Sequence, residues 1–369
     1  MSLTLESVRN RNVLLKVAYD LPSLNDTARI EASLETLHTL LKNRNRVLIL
    51  THWGRPHGFD SNFSTERLLP SLTKLYKRRY QEKLSAQYLN QYEYFEEGNE
   101  QRLRRVLNLF KGSVVMLENT RFSAAEQSQD SLARQALATQ YAVLADVVVN
   151  EAFALSHRTE ATNTELLEKL PTVLGLAYTR EVSALDRFGN PQTPFAVLLG
   201  GAKLHTKLPL LEHLLPRVDF ALLAGQAAFP FLRASSTPLD LAQTPVETTH
   251  LNLVRTLWQK YSKKIVLPVD LTFDSKGVAL DLGPESIARF QKILTASKTV
   301  FWNGPVGYYE NPDFAAGTKR LAATLAKLTD TYTVVGGGDT VAAFTPARLA
   351  KIDHASMGGG ATLHYLANL

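Results

Sequence analysis

The stretch Val334-Val335-Gly336-Gly337-Gly338-Asp339-Thr340 is the most informative part of this chain, and a helix-like run, Val341-Ala342-Ala343-Phe344, follows it. A strand that ends in consecutive glycines and continues as a helix presents bare backbone N–H groups, backed by the positive end of the helix dipole. This pattern predicts a phosphate site. Asp339 in the same turn supplies carboxylate oxygens, which are ligands that Mg²⁺ prefers.

Short apolar runs alternate with longer helical patterns along the rest of the chain, which is typical of parallel sheets covered by helices on both faces. We therefore predict an α/β fold with two doubly wound parallel-sheet domains joined by a helix and hinge. The predicted strands are Val13–Val17, Val47–Leu50, Val114–Leu117, Val147–Val149, Phe195–Leu199, Phe220–Leu223, Thr299–Trp302 and Thr333–Val335, and two clear helical periods are Ile30–Leu41 and Ser131–Leu144.

A chain of 369 residues is long enough for two domains. The expected boundary is a helix from about Gly175 to Phe188, closed by Gly189-Asn190-Pro191. We predict a first domain over residues 1–174, a connecting helix over 175–190, a second domain over 191–350, and a C-terminal segment, 351–369, at the domain interface.

The composition excludes several classes of protein. The chain has no cysteine, so it forms no disulfide and no thiolate metal site. No apolar run approaches the roughly 18 residues of a membrane span, and the N-terminus lacks the features of a signal peptide. The net charge of +6 comes without a basic stripe interleaved with aromatic residues. We therefore expect a cytoplasmic protein that binds neither membrane nor nucleic acid.

Basic side chains follow several predicted strands of the first half. Ligands of such sheets bind at the carboxyl ends of the strands, and arginine forks match the geometry of phosphate and carboxylate. Three arginines and two histidines therefore predict a small-anion site, and they lie in Thr51-His52-Trp53-Gly54-Arg55-Pro56, Glu118-Asn119-Thr120-Arg121-Phe122 and the segment from Asn150 to His157-Arg158.

The second half offers a complementary set of residues. Lys203 and Lys207 follow Gly200-Gly201-Ala202, and their spacing of four predicts one helical face at a helix N-terminus, where ammonium groups could neutralise a polyphosphate. The segment Trp302-Asn303-Gly304-Pro305-Val306-Gly307 is expected to form a rigid wall, with Glu310 accepting ribose hydroxyls. Neither the Walker-A pattern nor GxGxxG occurs.

At these residues the chain resembles the phosphoglycerate kinase family over nearly its whole length. The resemblance implies reversible phosphoryl transfer between 1,3-bisphosphoglycerate and ADP, giving 3-phosphoglycerate and MgATP. It also implies a monomer with the acid in the first domain and the nucleotide in the second. The segments that carry it, besides the strand-end motifs above, are Asn150–Arg158, Leu267-Pro268-Val269-Asp270, Phe314-Ala315-Ala316-Gly317-Thr318 and Gly336–Thr340.

The resemblance also implies roles for individual residues. Arg29 would be the catalytic arginine near the reacting carboxyl, and Lys203 would steady the transferring phosphoryl group. The acid would be bound by Ala18, Tyr19, Asp20, Arg29, His52, Trp53, Gly54, Arg55, Arg121, His157 and Arg158. The nucleotide would be bound by Gly200, Gly201, Ala202, Lys207, Gly225, Asn303, Pro305, Glu310, Gly336, Gly337, Gly338, Asp339 and Thr340, with Mg²⁺ at Asp339 and ATP or ADP as substrate.

The chain departs from the family pattern after its first strand, which reads Lys16-Val17-Ala18-Tyr19-Asp20-Leu21-Pro22. The family usually has Asp and Asn where this chain has Ala18 and Asp20, and those residues help hold the hydroxyl and carboxylate of the acid. We therefore expect weaker binding of 3-phosphoglycerate. In the nucleotide half, Ala224-Gly225-Gln226 replaces a usual triple glycine.

Two alternatives to an active phosphoglycerate kinase stay open at this point. One is a divergent relative that acts on another acid or serves as a nucleotide-binding protein, as the change at Ala18 and Asp20 indicates. Arg29, Lys203 and Asp339 argue for retained chemistry. The other is a nucleic-acid-binding module, which rests only on the high pI and would require steeply salt-dependent DNA binding.

Overall fold

The computed structural model describes residues 3–95, 114–202 and 204–369. The chain divides into two compact units, Met1–Val182 and Ser183–Leu369. The division falls within a helix, Leu176–Asp186, which continues as a 3₁₀ turn over Arg187–Gly189. This helix lies inside the range 175–190 for which the sequence predicted a connecting helix.

The first unit is built on a six-stranded sheet in the order β3-β4-β2-β1-β5-β6, and every pair in it is parallel. The chain leaves β1 toward β2 and later returns to its other side at β5, so a topological switch point lies beside β1. Ligands of open α/β sheets bind there. The strands are β1 Asn12–Lys16, β2 Arg46–Leu50, β3 Ala86–Leu89, β4 Val114–Leu117, β5 Val147–Asn150 and β6 Thr172–Leu174.

Alternation along the central strand shows why helices cover both faces of this sheet. Val13 and Leu15 of β1 pack into one hydrophobic cluster, whereas Leu14 packs into a second one. Both faces of the strand are therefore withdrawn from water, as the continuous apolar run requires. The helices in the described part of the unit are Ala28–Lys42, Leu69–Tyr80, Ser131–Ala142, Glu165–Lys169 and Leu176–Asp186, which crosses into the second unit.

The second unit repeats this design with the strand order β14-β13-β12-β7-β8-β9, again all parallel, and its switch point lies between β7 and β12. An antiparallel hairpin, β10–β11, stands apart from the sheet. The strands are β7 Phe195–Leu199, β8 Phe220–Leu223, β9 Ile265–Val266, β10 Leu271–Phe273, β11 Ala279–Leu282, β12 Thr299–Asn303, β13 Tyr332–Gly336 and β14 His354–Ser356. The helices are Leu208–Leu214, Phe229–Ala234, Leu251–Tyr261, Pro284–Ala296, Ala316–Leu325, Gly338–Ala342, Pro346–Leu349 and Gly360–Leu366.

The predicted α/β fold with parallel sheets is confirmed, and each predicted strand is found with its ends within one residue. The sequence missed β3, β6, β9, the β10–β11 hairpin and β14, because short strands carry too few apolar residues for a periodic pattern. Strand β14 belongs to the second sheet, so part of the segment 351–369 completes that unit; its place at a domain interface stays a prediction. In the part of the chain that the structure describes, no helix combines the length and hydropathy of a bilayer span.

Candidate active site

The loops that follow β2 and β4 in the first unit are tied together by one asparagine. Asn119 accepts a hydrogen bond from the Arg121 N–H at 3.1 Å and donates from Nδ2 to the Trp53 carbonyl at 2.7 Å. The first bond caps the 3₁₀ turn Thr120–Phe122, and the second joins that turn to the β2 loop. The arginine after β4 is therefore held at a defined place at the strand ends.

The guanidinium of Arg121 is fixed from two sides. Its Nη1 donates to the Gly54 carbonyl at 2.7 Å, and its Nη2 donates to Glu160 Oε1 at 2.8 Å. The side chains of Arg121 and Glu160 are 3 % and 2 % exposed. The Nε–H of Arg121 is buried and has no partner among the described residues. An unpaired buried donor is costly, so this atom is suited to an acceptor that a ligand supplies.

The loop after β1 meets the same β2 loop through Asp20. Its Oδ1 accepts from the Gly54 N–H at 2.9 Å, its Oδ2 lies 3.7 Å from His52 Nε2, and its carbonyl accepts from Arg29 Nη1 at 2.5 Å. Burial by itself would raise the pKa of Asp20, but His52, the Gly54 N–H and Arg29 outweigh it and lower the pKa to about 2. Burial lowers the pKa of His52, so the imidazole is neutral near pH 7.

We expect Asp20→Asn to lower stability near neutral pH by about 1 to 2 kcal/mol, reduced from the full linkage value because the carboxylate is partly exposed. Since the folded-state pKa of Asp20 is depressed, its contribution is present above the unfolded pKa of about 4 and is lost as the pH falls toward 2. Urea unfolding of both proteins between pH 2 and 7 measures the difference. A difference that does not change with pH would contradict this account.

A buried polar network lies behind these loops. Lys16 Nζ donates to Thr162 Oγ1 at 2.7 Å, and that hydroxyl donates to Glu126 Oε1 at 2.5 Å. Burial lowers the pKa of Lys16 and raises the pKa of Glu126 to about 7, although the opposite charge of each partner counteracts the shift. The network anchors the end of β1 to the segment after β5, which carries Glu160.

The structure brings five of the predicted acid-site residues into one contact network: Asp20, Arg29, His52, Gly54 and Arg121. The remaining basic residues lie in the same strand-end loops. Arg158 is half-buried, with Nη1 3.9 Å from Glu160 Oε1, whereas Arg55 and His157 are exposed. Ala18 is half-buried and offers no polar side-chain atom.

Two of the predicted acid-site residues, Tyr19 and Trp53, have side chains that face the core. Tyr19 is 0 % exposed, and its hydroxyl lies 2.6 Å from Ser33 Oγ, so the phenol faces the core because side chains alternate along extended backbone. Trp53 is 7 % exposed and donates from Nε1 to the Leu21 carbonyl at 2.9 Å. Both side chains support the loops from inside.

In the second unit, the loops after β7 and β12 touch through their backbones. Gly200 N donates to the Asn303 carbonyl at 2.9 Å, and Gly201 N donates to the Pro305 carbonyl at 2.7 Å. A Cβ on Gly200 would lie 2.2 Å from the Pro305 carbonyl oxygen. The glycine is therefore required by the close approach of the two loops at the switch point.

The glycine turn Gly336–Gly338 has the strand-to-helix geometry that the sequence predicts. Strand β13 ends at Gly336, Gly337 adopts φ +91°, and the helix Gly338–Ala342 begins directly afterwards. Asn303 Nδ2 donates to the Gly336 carbonyl at 2.8 Å, and Thr340 Oγ1 accepts from the Gly304 N–H at 2.7 Å. Thr340 and Asn303 are buried, so their hydrogen bonds fix the turn on its core side. Gly338 and Asp339 are exposed.

A cavity of about 360 Å³ opens beside this turn. Its size and mostly apolar wall suit a flat aromatic ligand. Of the predicted nucleotide-binding residues, Gly201, Ala202, Gly225, Pro305, Glu310 and Asp339 line it. Val306 and Gly307, from the predicted rigid wall, and Gln226, beside Gly225, also line it. Sequence reasoning missed other parts of the wall, namely Phe229, Leu271, Ala279, Leu280, Asp281 and Tyr308.

Four of the missed residues come from the strands of the β10–β11 hairpin, namely Leu271, Ala279, Leu280 and Asp281. A signal for this hairpin exists in the sequence, because Asp274-Ser275-Lys276-Gly277 separates two apolar runs. Gly277 adopts φ +81°, as such turns require. Glu160 was also missed, since a single glutamate carries no pattern that marks it as the partner of Arg121.

The predicted helix N-terminus at Lys207 is confirmed, since Lys207 is the N-cap of the helix Leu208–Leu214; the helical face shared with Lys203 stays a prediction. The helix begins at Leu208, so Lys207 lies in the turn before it; Lys203 lies outside the described residues. Pro209 at the second helical position favours this start. Lys207 Nζ lies 3.6 Å from the point where a Cβ on Gly201 would stand, which places the ammonium beside the glycine loop.

The donor set around Asp339 fits a magnesium ion that is held mainly by substrate phosphates. Asp339 is exposed in the first turn after the glycines and lines the cavity. Within residues 3–95, 114–202 and 204–369, no three His, Asp or Glu side chains form a cluster able to hold a metal. Mg²⁺ commonly takes one or two carboxylates and completes its shell with water and phosphate oxygens.

Two parallel α/β units, one with basic strand-end loops and one with a glycine turn beside a cavity, define a two-domain α/β phosphotransferase. The family model described as phosphoglycerate kinase matches residues 3–368. The chain therefore belongs to the phosphoglycerate kinase family, and it is an enzyme of the kinase class.

Known proteins show the same likeness over the whole chain. It is 36% identical to the phosphoglycerate kinase of Salinispora tropica, with 98% of this chain and 94% of that protein covered. It is 34% identical to the cytosolic phosphoglycerate kinase 3 of Arabidopsis thaliana, with 97% and 93% covered. The structure of phosphoglycerate kinase from Coxiella burnetii matches with a TM-score of 0.80 at 28% identity, covering 100% of this chain and 97% of that one.

Proposed function

We propose that this enzyme transfers a phosphoryl group reversibly between 1,3-bisphosphoglycerate and ADP, giving 3-phosphoglycerate and MgATP. The observation that supports this most is the glycine turn Gly336–Asp339 beside a 360 Å³ cavity, in a chain whose other unit carries an arginine-rich strand-end site. We further propose that the enzyme acts as a monomer in the cytoplasm.

In the acid half-site, basic groups would bind the phosphate and the reacting carboxyl. Arg121 offers its buried Nε–H, and Arg55 and Arg158 lie in neighbouring loops. Arg29, which is tethered to the Asp20 carbonyl at 2.5 Å, would stabilise charge at the transferring phosphoryl group. Guanidinium groups suit this role because they present several donors in a fixed plane.

In the nucleotide half-site, the cavity would take the base and the glycine turn would take the phosphates. Gly338 is exposed, and a Cβ there would meet open space, so a phosphate can approach its backbone closely. The Gly337 N–H already donates to the Ser356 carbonyl at 3.3 Å. Glu310 at the cavity wall would accept hydrogen bonds from the ribose. Lys207 and Lys203 would neutralise phosphate charge.

The proposed chemistry is direct in-line transfer without a covalent enzyme intermediate. Phosphoryl transfer spreads charge over the equatorial oxygens, so positioned cations and N–H groups suffice to stabilise it. Mg²⁺, held by Asp339 and the nucleotide phosphates, would supply further charge neutralisation. Direct transfer also requires the two substrates to meet with water excluded, and we propose that closure of the units around them achieves this.

A coupled assay with ATP, 3-phosphoglycerate and Mg²⁺ tests the proposal. We expect turnover by the parent enzyme, loss of turnover when the metal is chelated, and a strong loss in Lys203→Ala. No turnover by the parent together with retained nucleotide binding would refute the proposed acid substrate. In that case the divergent relative that acts on another acid, which the charged Asp20 favours, would take its place.

We expect the double variant Ala18→Asp plus Asp20→Asn to lower the KM for 3-phosphoglycerate by about three- to tenfold. It removes the carboxylate at position 20 that repels the acid, and it places at position 18 the aspartate that the family uses to help hold the acid. Asn at position 20 can still accept the Gly54 N–H that Asp20 now accepts at 2.9 Å. The KM for ATP serves as the control and should not change. An unchanged KM for the acid would show that Ala18 and Asp20 do not limit its binding.

A further inference from the structure

Buried side-chain atoms without a hydrogen-bond partner are concentrated among the residues of the acid half-site. Five buried side-chain atoms lack a hydrogen-bond partner in the described part of the chain, and three of them are Arg121 Nε, Glu160 Oε2 and His52 Nε2. These three side chains also influence one another electrostatically, and Arg121 and Glu160 are in direct contact. Because buried polar groups are normally paired, these open positions are suited to a bound water or to a ligand.

Glu160 organises this cluster from its centre. Its Oε1 accepts from Arg121 Nη2 at 2.8 Å and from Gln127 Nε2 at 3.1 Å, and Arg158 Nη1 lies 3.9 Å away. Burial would raise the pKa of Glu160, but the hydrogen bond from Arg121 and the charge of Lys16 lower it below its usual value. The carboxylate is therefore ionised and is held in one position.

A carboxylate beneath an anion site has two opposite effects on that site. Its charge offsets part of the positive charge of Arg121, which by itself weakens the attraction for a phosphate. Its oxygen, together with the Gly54 carbonyl at 2.7 Å, fixes the guanidinium plane. A guanidinium that is already fixed loses less side-chain entropy when it binds a phosphate, which favours binding. The loss of positive charge and the fixed orientation therefore oppose each other.

We propose that Glu160 is a positioning residue for substrate binding, which sets the plane of Arg121 so that its Nε–H meets a phosphate oxygen. This inference rests on the proposed function for the identity of the substrate, and it deepens that proposal by adding a residue to the acid half-site. Glu160 acts through Arg121 and does not itself bind the phosphate.

Two substitutions separate the position of the acceptor oxygen from its charge. Glu160→Asp keeps the charge but withdraws the oxygen, so we expect the KM for 3-phosphoglycerate to rise at least about tenfold, since small misplacements have large effects. Glu160→Gln keeps the oxygen but removes the charge, and its KM should stay within about a factor of three of the parent or fall. The KM for ATP should not change in either variant.

Glu165→Asp is the matched control. Glu165 pairs with Arg134 at 2.5 Å, and both side chains are largely buried, but neither belongs to the strand-end contacts described above. Shortening it should lower thermal stability to a similar extent without changing the KM for the acid. An equal rise in KM for Glu165→Asp and Glu160→Asp would overturn the proposal, as would equal rises for Glu160→Asp and Glu160→Gln.

A second measurement is independent of turnover. Inorganic phosphate should raise the Tm of the parent and of Glu160→Gln, because it binds the folded state, and should raise that of Glu160→Asp much less. If the parent did not turn over 3-phosphoglycerate, the proposed function would fail, and this phosphate measurement would still decide the role of Glu160. An equal rise in all three proteins would overturn it.

The test also holds if Glu160→Asp does not fold. Gln127→Ala removes the second donor to the same Glu160 oxygen from a partly exposed position. We expect it to raise the KM for the acid about threefold by loosening the carboxylate. An unchanged KM in a folded Gln127→Ala protein would overturn the proposal.

Discussion

Replacement of Arg29 by alanine is expected to lower kcat by about a hundredfold to a thousandfold, the usual effect of removing one donor that stabilises transition-state charge. Arg29 lies in the first turn of the helix Ala28–Lys42 and is tethered to the Asp20 carbonyl at 2.5 Å. That tether holds the guanidinium beside the loop that carries the acid-site contacts. Steady-state kinetics with 3-phosphoglycerate and ATP measure the effect.

The matched control for this result is Arg180→Ala. Arg180 also forms an ion pair in the first unit, with Glu35 at 2.9 Å, but both side chains are about half exposed. Exposed pairs contribute about 0 to 1 kcal/mol, so neither kcat nor KM should change by more than about twofold. If Arg29→Ala behaved like this control, the catalytic role of Arg29 would be wrong.

Gly304→Ala is expected to destabilise the second unit by about 2 to 4 kcal/mol and to raise the KM for ATP at least about tenfold. Gly304 adopts φ +88°, and a Cβ there would lie 2.3 Å from the Gly200 carbonyl oxygen. Because that oxygen belongs to the backbone, the loops after β7 and β12 would have to separate. The same loops form part of the cavity wall, so nucleotide binding should weaken together with stability.

Differential scanning calorimetry checks the stability effect, with a loss of about 2 to 4 °C in Tm expected for each kcal/mol in a unit of this size. Gly189→Ala is the control, because a Cβ at Gly189 meets nothing within 4 Å and its φ is not positive. That substitution should change the Tm by no more than about 2 °C. Retained ATP affinity in a destabilised Gly304→Ala protein would contradict the link between the loops and the nucleotide.

Much of the architecture followed from local pattern. The apolar runs at Phe195–Leu199 and Phe220–Leu223 predicted β7 and β8 with the observed bounds, because a strand buried on both faces needs uninterrupted apolar residues. The glycine turn at Gly336–Gly338 was also predicted, since few other patterns join a strand to a helix in this way. Short strands such as β9 were not predicted, because a strand of two residues is too short to show a periodic hydrophobic pattern.

Side-chain direction at the candidate site could not be predicted from the sequence. Tyr19 and Trp53 were assigned from their neighbours in sequence, and the structure shows that both side chains are buried. A motif places a backbone segment at a strand end. Whether a given side chain then faces the ligand depends on one residue of register, which packing decides.

The amino-acid sequence alone determined the two parallel-sheet units and the strand ends that carry arginines, histidines and glycines. These features depend only on the hydrophobic pattern and on the residue types along the chain. Only the tertiary structure decided that Glu160 holds Arg121, that Asp20 meets the β2 loop, and that the β10–β11 hairpin helps wall the cavity. Those contacts join residues far apart in sequence, and their energies depend on burial and distance, which exist only once the chain has folded.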